Sequence, residues 1–508
     1  MLSPVSRLKF LIPALAFALA AILPVTAQEN PASPTPASGP TLTLEECIVR
    51  ALGKNFDLQL QSFDTANAKE SLIVSQSGYD PVLSATASKS VNQSDVAATT
   101  LVGTRSETTD TRIGVAQKIA SGATVNLSGS LNRNETNNTF STLNPAYNSD
   151  VSLSIKQPLL RNAGSTVNNA AIRRAELGLT RADLTYKAAV LQVVSNTENA
   201  YYNLVFAREQ LAVRQHSLEL AEKLYDENKT KKNTGVATDL DVLLAEVGVA
   251  NAHRNVLDAQ RSARDRQDAL LNLIGQFEFN TVVGEVRLPD VSPAATNFDQ
   301  SFRLARENQP DYISTQASIK QLEIDAKTAK NSSLPSLDLG GAVGYNALDS
   351  SSSRALNRLP DGDGYAWQLD LSLSVPWGRR ADKARYRVAQ NNLQREQARL
   401  QQVEQNLLVQ VRAAVRAVET NRESVEISTK ATELSEKQYE LEKARFDAGL
   451  STSRLVLEAQ DALELARVSE LQARVNLRSA LAELHRLEGS SIERYNIPVS
   501  ITPLAARN

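Results

Sequence analysis

The chain has 508 residues, and its 55 Lys and Arg balance 57 Asp and Glu to a net charge of −2. With no polybasic arm and no basic face interleaved with aromatics, nucleic-acid binding is excluded as the main task. Aromatics are 5% of the chain and there is one Cys, which excludes an internal disulfide and suits long helices packed side by side rather than a thick globular core.

Residues 1–27 read as a secretory signal. Arg7 and Lys9 supply the positive start, Leu11 to Leu23 the apolar stretch, and Val25-Thr-Ala27 a small-residue cleavage site. The stretch is too short, and too broken by Pro13 and Pro24, to be a spanning helix. Residues 28–40, with Pro31, Pro34, Pro36 and Pro40, read as a flexible leader. No later segment approaches about 18 uninterrupted apolar residues, so a place in a membrane requires a β-barrel. Cys47, in Leu44-Glu-Glu-Cys47, reads as a small buried helix residue rather than a lipid attachment point.

A first structural repeat covers 41–290. A helix over about 43–77 opens on Thr43-Leu-Glu-Glu, a capping sequence, and Pro81 ends it. Strands fill 82–157, where period-two alternation recurs: Val125, Leu127, Gly129 and Leu131 against Asn126, Ser128, Ser130 and Asn132, then Val151, Leu153 and Ile155 against Ser152, Ser154 and Lys156. Ile113, Val115 and Ile119 form another row, and Ala120-Ser-Gly122 reads as a tight turn. A long helix over 162–230 follows, then a tip turn at Lys231-Lys-Asn-Thr-Gly235 and a returning helix over 238–274 that Thr238 can cap. Residues 276–297, with Gly284, Pro289 and Pro293, join the halves.

The second repeat covers 291–489, with a helix, strands over 336–377, a long helix over 379–448, a tip turn and a helix over 452–488 capped by Ser451 or Thr452. A tail over 490–508 holds Pro498 and Pro503. The duplication is explicit. Ala51, Asn55, Asp57 and Pro81 recur as Ala305, Gln309, Asp311 and Pro335 (305 − 51 = 254), and Gly235-Val-Ala-Thr238 as Gly449-Leu-Ser-Thr452 (449 − 235 = 214). In the second long helix Leu393, Leu400, Leu407 and Ala414 recur every seven residues, as do Val411, Val418 and Val425. Such helices need a neighbour along their whole length. The segment 365–377 places Tyr365, Trp367, Leu369, Leu371, Leu373, Val375 and Trp377 on one face and Gln368, Asp370, Ser372 and Ser374 on the other. An apolar stripe ending in aromatics, backed by a polar face, is the pattern of a membrane barrel strand, and also of a soluble sandwich.

Taken in order, Leu42-Thr-Leu-Glu-Glu, Asn55-Phe-Asp-Leu58, Gln157-Pro-Leu-Leu and the two turns, Gly235-Val-Ala-Thr-Asp-Leu-Asp-Val242 and Gly449-Leu-Ser-Thr-Ser-Arg-Leu-Val-Leu-Glu-Ala459, resemble the TolC-type outer-membrane efflux proteins. The resemblance implies a mainly α chain with β: a homotrimeric α-barrel of long coiled helices continuous with an outer-membrane β-barrel, two repeats per chain. It implies an exit duct for a tripartite efflux pump or type I secretion system, partnered by a periplasmic adaptor and an inner-membrane transporter. The competing reading is a periplasmic coiled-coil adaptor or structural protein.

The family usually places four strands per protomer. Here Pro81 to Pro158 spans 158 − 81 = 77 positions and Pro335 to Pro376 spans 376 − 335 = 41, so the first β segment is longer by 77 − 41 = 36. That length suits an extra hairpin, giving six strands per protomer, or long external loops. The resemblance further implies that Asp241 and Glu458 are gate or lumen carboxylates, with Asp239 and Arg454 near enough to join them. Acids in the first turn of a helix also serve its dipole, so Asp239 and Asp241 have that second reading. Gly235, Val236, Thr238, Gly449, Leu450, Ser451 and Thr452 are candidate adaptor contacts, and Tyr365, Trp367 and Trp377 candidate interface aromatics. The basic run Arg379, Arg380, Lys383, Arg385 and Arg387 reads as a solvated helix start. His216, His253 and His485 lack ligand spacing, so no metal, cofactor or enzymatic activity is expected.

Overall fold

The computed structural model describes residues 42–95, 103–275, 283–289, 297–361 and 364–497. The secretory signal, the leader, Pro293 and the tail from Pro498 onward lie outside the described residues.

The helix expected over 43–77 is two helices, α1 (Leu44–Lys54) and α2 (Phe56–Gln76). Thr43 and Glu46 form a reciprocal capping box at the start of α1. Asn55 then takes an extended backbone (φ −71°, ψ 128°), and its Oδ1 accepts from the amides of Asp57 (2.9 Å) and Leu58 (3.4 Å). One residue therefore stops α1 and caps α2. The second repeat breaks at the equivalent residue: Gln309 (φ −69°, ψ 118°) separates α5 (Phe298–Asn308) from α6 (Pro310–Ser332), and Pro310 sits where its missing amide costs nothing. Between these pairs in chain order come α3 (Ala170–Asn233, 64 residues) and α4 (Asp239–Ile274); α7 (Arg380–Asp447, 68 residues) and α8 (Ser453–Glu488) complete the helices longer than six residues among the described ones. At ~1.5 Å per residue, α3 and α7 each reach roughly 100 Å.

The first long helix begins later than 162. Leu159 and Arg161 donate to the carbonyls of Leu337 (2.7 Å) and Pro335 (3.2 Å), and Asn162 and Gly164 have positive φ (63° and 89°), so the chain here still follows the sheet and cannot be helical.

Six strands make one antiparallel sheet in chain order: β1 (Val82–Gln93), β2 (Arg105–Lys118), β3 (Thr124–Thr136), β4 (Ala146–Pro158), β5 (Ser336–Asp349) and β6 (Gly364–Ser374). The pairing of β4 with β5 joins the two repeats. The added 36 positions are thus spent on a hairpin. Its turn at Ala120-Ser-Gly122 needs glycine: Gly122 has φ +97°, and a Cβ there would meet the Asn162 carbonyl at 2.5 Å.

The helical core lies midway along the long helices. Ile48, Val194, Leu204, Val205, Leu270 and Ile274 are buried where α1 and residues 283–289 pack on α3, α4 and α8. Leu407, Val411, Ala414 and Val418 pack against Leu477, Leu484 and Leu487 in a second cluster. The seven-residue rows are buried there, but Leu393 and Leu400, nearer the sheet, are half-exposed. Cys47 is fully buried, and its burial pushes the thiol up to about 12, so it stays protonated and unreactive.

Glu198 lies in this core. Tyr495 donates to its Oε1 (2.6 Å), while Oε2 is buried without a hydrogen bond. Burial raises the carboxyl above its usual 4.5. A carboxyl held high in the folded state favours folding when protonated, so its contribution is present at and below about pH 4.5 and fades as pH rises through the raised value. Glu198→Gln should therefore raise thermal stability relative to wild type at pH 7, with the gap closing by pH 4. A gap that is constant across that range would show that the carboxyl is not the titrating group.

Candidate functional site: a two-faced sheet and the helical tip

The strand register aligns side chains into rows crossing all six strands. Leu83, Val115, Leu127, Leu153, Val343 and Trp367 form one row, and Ala85, Ile113, Gly129, Val151, Tyr345 and Tyr365 the next. Toward the helices the same face carries Val125, Ile155, Leu369, Leu371 and Leu373. Apart from the half-buried Val125 and Gly129, these residues are exposed although apolar: Leu83 is 72% accessible, Trp367 72% and Leu369 69%. From Leu373 to Tyr365 the band runs roughly 27 Å along β6, a span suited to the apolar belt of a membrane barrel. Tyr365 lies at its distal end, while Trp377, just past β6, lies fully exposed at the helical end.

The opposite face is polar. Ser84, Gly114, Ser128, Ser152, Gly344 and Ala366 share one row, and Thr86, Arg112, Ser130, Asp150, Asn346 and Gly364 the next. Ser128 and Ser152 hydroxyls lie 3.1 Å apart, and Lys156 pairs with Asp338 at 3.4 Å. Gly344 keeps this face open, because a Cβ there would meet the Val151 carbonyl at 2.9 Å. The period-two rows of the sequence thus become two continuous surfaces, one fit for hydrocarbon and the other for water.

At the other end of the long helices, both tip turns are Schellman motifs. Val236 donates to the Lys231 carbonyl (2.8 Å) and Gly235 to that of Lys232 (2.9 Å); Leu450 donates to Arg445 (2.8 Å) and Gly449 to Phe446 (3.0 Å). Gly235 and Gly449 both have positive φ (78° and 77°). Gly235, Val236, Thr238, Gly449, Leu450 and Thr452 are exposed, and Ser451 half-buried.

The returning helices start differently. Thr238 and Asp241 form a reciprocal cap: Asp241 accepts from the Thr238 amide (2.9 Å) and hydroxyl (2.7 Å), and the Asp241 amide donates to the Thr238 hydroxyl (3.2 Å). The hydroxyl, then the amide, of Thr238 hold the Asp241 carboxyl below its usual 3.8. In α8 the equivalent of Asp241 is Leu455 (241 + 214 = 455), Thr452 is the N-cap without a side-chain bond, and Ser451 donates instead to the Glu442 carboxylate. Of the two expected caps on α8, Thr452 holds the position and Ser451 does not. Because Asp241 is depressed in the folded state, its cap stabilises α4 at neutral pH and is lost as pH falls through the lowered value. Thr238→Ala should cost about 1 kcal/mol at pH 7 in chemical unfolding, and the cost should shrink in strong acid; an unchanged cost there would argue that the cap is not ionic.

Among the described ion pairs, Asp239 joins Lys232 on its own hairpin, and Arg454 joins Glu458 at 3.5 Å on its own helix. These acids lie at the tip, and each is engaged locally: Asp239 by Lys232, Glu458 by Arg454, and Asp241 by Thr238. The contacts between the two hairpins come from other residues. Ser453 donates to the buried Asn228 Oδ1 (2.7 Å), Gln460 donates to the Ser217 carbonyl (2.7 Å), and Lys443 joins Glu227. Lys231 Nζ lies 3.5 Å from the centre of the Phe446 ring. Sequence reading missed these residues, since Asn228 and Ser453 are 225 positions apart. The one available signal was a polar Asn in a stretch otherwise patterned for helix packing. The basic run after Trp377 is exposed at Arg380, Lys383, Arg385 and Arg387, with Arg379 half-buried in a left-handed backbone. Among the described residues, no group of His, Cys, Asp or Glu could hold a metal ion, and no helix is long and apolar enough to cross a membrane.

A protein-family model described as outer membrane efflux protein matches residues 120–276 and 302–490, one stretch in each repeat. Among solved structures, the CmeC outer membrane channel of Campylobacter jejuni is similar at 18% identity and TM-score 0.65, covering 90% of both chains. The MtrE outer membrane channel of Neisseria gonorrhoeae is similar at 20% identity and TM-score 0.61, covering 88% of both. The outer membrane protein VceC of Vibrio cholerae is similar at 16% identity and TM-score 0.63, covering 88% of this chain and 96% of that one. At these identities the likeness establishes the fold. No curated protein sequence matches the chain.

Proposed function

The chain belongs to the outer membrane efflux protein family, and from that we infer that it is an outer-membrane exit duct, passing small molecules or polypeptides through a trimeric channel without chemical change. The observation that carries this reading is the continuity between sheet and helices. The chain passes from α2 into β1, from β4 into α3, from α6 into β5 and from β6 into α7, so these four strands meet helices at one end of the sheet. With the polar face turned inward, the lumen of the sheet continues into the space that the helices enclose.

In one chain the sheet has two free edges, β1 and β6. A strand edge requires a partner in a membrane, where no water satisfies its backbone. If β6 of each copy pairs with β1 of the next, three copies close a barrel of 3 × 6 = 18 strands. The exposed apolar residues of the helices, among them Leu243, Val247, Ile427, Leu434 and Leu441, then face neighbouring copies. The tip turns meet a periplasmic adaptor through Gly235, Val236, Thr238, Gly449, Leu450, Ser451 and Thr452, and the adaptor links them to an inner-membrane transporter. Asp239, Asp241 and Glu458, with Arg454, line the entrance that closes there. Tyr365, Trp367 and Trp377 meet the membrane interfaces.

Fractionation tests this reading first. The protein should enter the outer-membrane fraction, leave it in detergent at the mass of three copies, and conduct ions in a planar bilayer. Recovery as a soluble periplasmic monomer would overturn it. Drug sensitivity and loss of a secreted polypeptide in a deletion strain separate efflux from type I secretion.

A further inference from the structure

The segment between β5 and β6 does not stand clear of the sheet. Its short helix, Ser352–Asn357, and the turn Leu359–Asp361 fold back over the apolar face. Ala355 is fully buried, and its carbonyl accepts from the hydroxyl of Ser149 (2.7 Å), a residue of that face. Two grooves result, one on each side of Leu359. The first, roughly 420 Å³, is lined by Ile113, Val115, Leu127, Val151, Leu356 and Leu359. The second is bordered by Val343, Tyr345, Tyr365, Trp367 and Pro360, with Asp361 at its margin. The first lies over β2 to β4, away from both edges where a neighbouring copy would pair.

Just distal to the apolar band the same face becomes charged. Lys89, Thr109, Arg133, Tyr147 and Asp349 form one row, and Glu107 and Glu135 the next. Lys89, Arg105 and Arg133 converge on the single carboxylate of Glu107. Arg354 (2.8 Å) and Arg358 (3.8 Å) converge on Asp349. The carboxylates lie underneath: Glu107 and Asp349 side chains are each 16% accessible, against 61% for Lys89, 57% for Arg105, 64% for Arg354 and 48% for Arg358. Glu135, at 48%, and Asp361 are the exposed exceptions, against five cations: Lys89, Arg105, Arg133, Arg354 and Arg358. The surface offered at headgroup height is therefore cationic, with forked guanidinium groups that match phosphate.

We propose that the Ser352–Asp361 segment and the cationic rows beside it form a binding site for a phosphorylated, multi-acyl glycolipid of the outer leaflet. Acyl chains lie in the two grooves on either side of Leu359, and Arg354, Arg358, Lys89 and Arg105 hold the phosphates. The site rests on the reading of this face as membrane-embedded. Two grooves flanking one cationic segment fit a lipid with several chains better than a single-chain amphiphile, and the excess of cations over carboxylates selects an anionic headgroup.

The test uses the full-length protein extracted from outer membranes and rebuilt into lipid nanodiscs. Its binding is compared for lipid A carrying its phosphates, lipid A with the phosphates removed, and phosphatidylglycerol, by native mass spectrometry. The phosphorylated lipid A should bind most strongly, and R354Q/R358Q should weaken it about tenfold or more, while R354K/R358K, which keeps the charge but loses the fork, retains only part of it. Leu356→Ser should weaken both forms of lipid A alike. Equal binding by wild type and R354Q/R358Q, or equal binding of phosphatidylglycerol, overturns the site while leaving the exit-duct reading intact. Failure of the wild-type protein to insert at all overturns both.

Discussion

Leu153→Arg should lower the stability of the inserted barrel by about 2–4 kcal/mol, the cost of a cation near the centre of a lipid-facing surface. Leu153 lies mid-strand in β4 between Leu127 and Val343, on the apolar face. Its chain neighbour Ser152 lies on the opposite face between Ser128 and Gly344. Ser152→Arg should change stability by no more than about 0.5 kcal/mol, because that face meets water. On the exit-duct reading it should instead shift ion selectivity toward anions, since each copy would add a positive charge to the lumen wall. Urea unfolding in liposomes reads the first effect and single-channel recording the second. Equal penalties at the two positions would show that the faces do not differ in what they meet, and a penalty at Ser152 alone would show that they have been assigned backwards.

The second large effect concerns the tip. Ser453→Ala removes the hydroxyl that satisfies Asn228, a side chain 1% exposed between the two hairpins. Leaving a buried amide oxygen without its donor costs about 1–3 kcal/mol. On the gated-tip reading, this bond belongs to the closed arrangement of the hairpins. Weakening it by that amount raises the open population roughly 5- to 150-fold, seen as longer or larger openings in bilayer recordings. Lys443→Glu should act in the same direction, by placing a third carboxylate beside Glu227 and Asp447. Unchanged conductance in a correctly inserted Ser453→Ala channel would mean that this contact does not hold the tip closed. By contrast, Asp241→Asn should act mainly through the cap on α4, since the Asp241 carboxylate is already bonded to Thr238.

Much of this architecture was legible in the residues because it depends on local periodicity. The alternation at 365–377 placed Leu369, Leu371 and Leu373 on one face before any partner strand was known, since a strand has a period of two whatever lies beside it. The tip turns were legible for a similar reason: a helix ending in a left-handed residue favours glycine, and Gly235 and Gly449 stand there. The duplication foretold that both halves would turn and return at matching positions, as they do at Gly235 and Gly449, but it did not foretell the breaks at Asn55 and Gln309.

The helix breaks themselves were harder to read. Asn at 55 is a favoured N-cap and Pro310 after Gln309 a favoured first helical residue, but each is a single-residue signal inside a long helical stretch, and the extended backbone at both positions shows the stop. The length of the first β segment, similarly, admitted either an added hairpin or long loops. The register decided it, because Ile113 and Val115 lie opposite Gly129 and Leu127 throughout β2 and β3.

By itself the sequence determined most of the elements, their duplication and the two-faced character of the strands, because turn chemistry and periodicity are carried within a few residues of one another. Only the tertiary structure decided what meets across the chain. It paired Asn228 with Ser453, gave Asp239 to Lys232 rather than Arg454, and laid Leu356 and Leu359 over the apolar face of strands more than 200 positions earlier, as Ser149 and Ala355 show. Such contacts depend on how long helices and sheet rows come into register in space, and no local pattern encodes that distance.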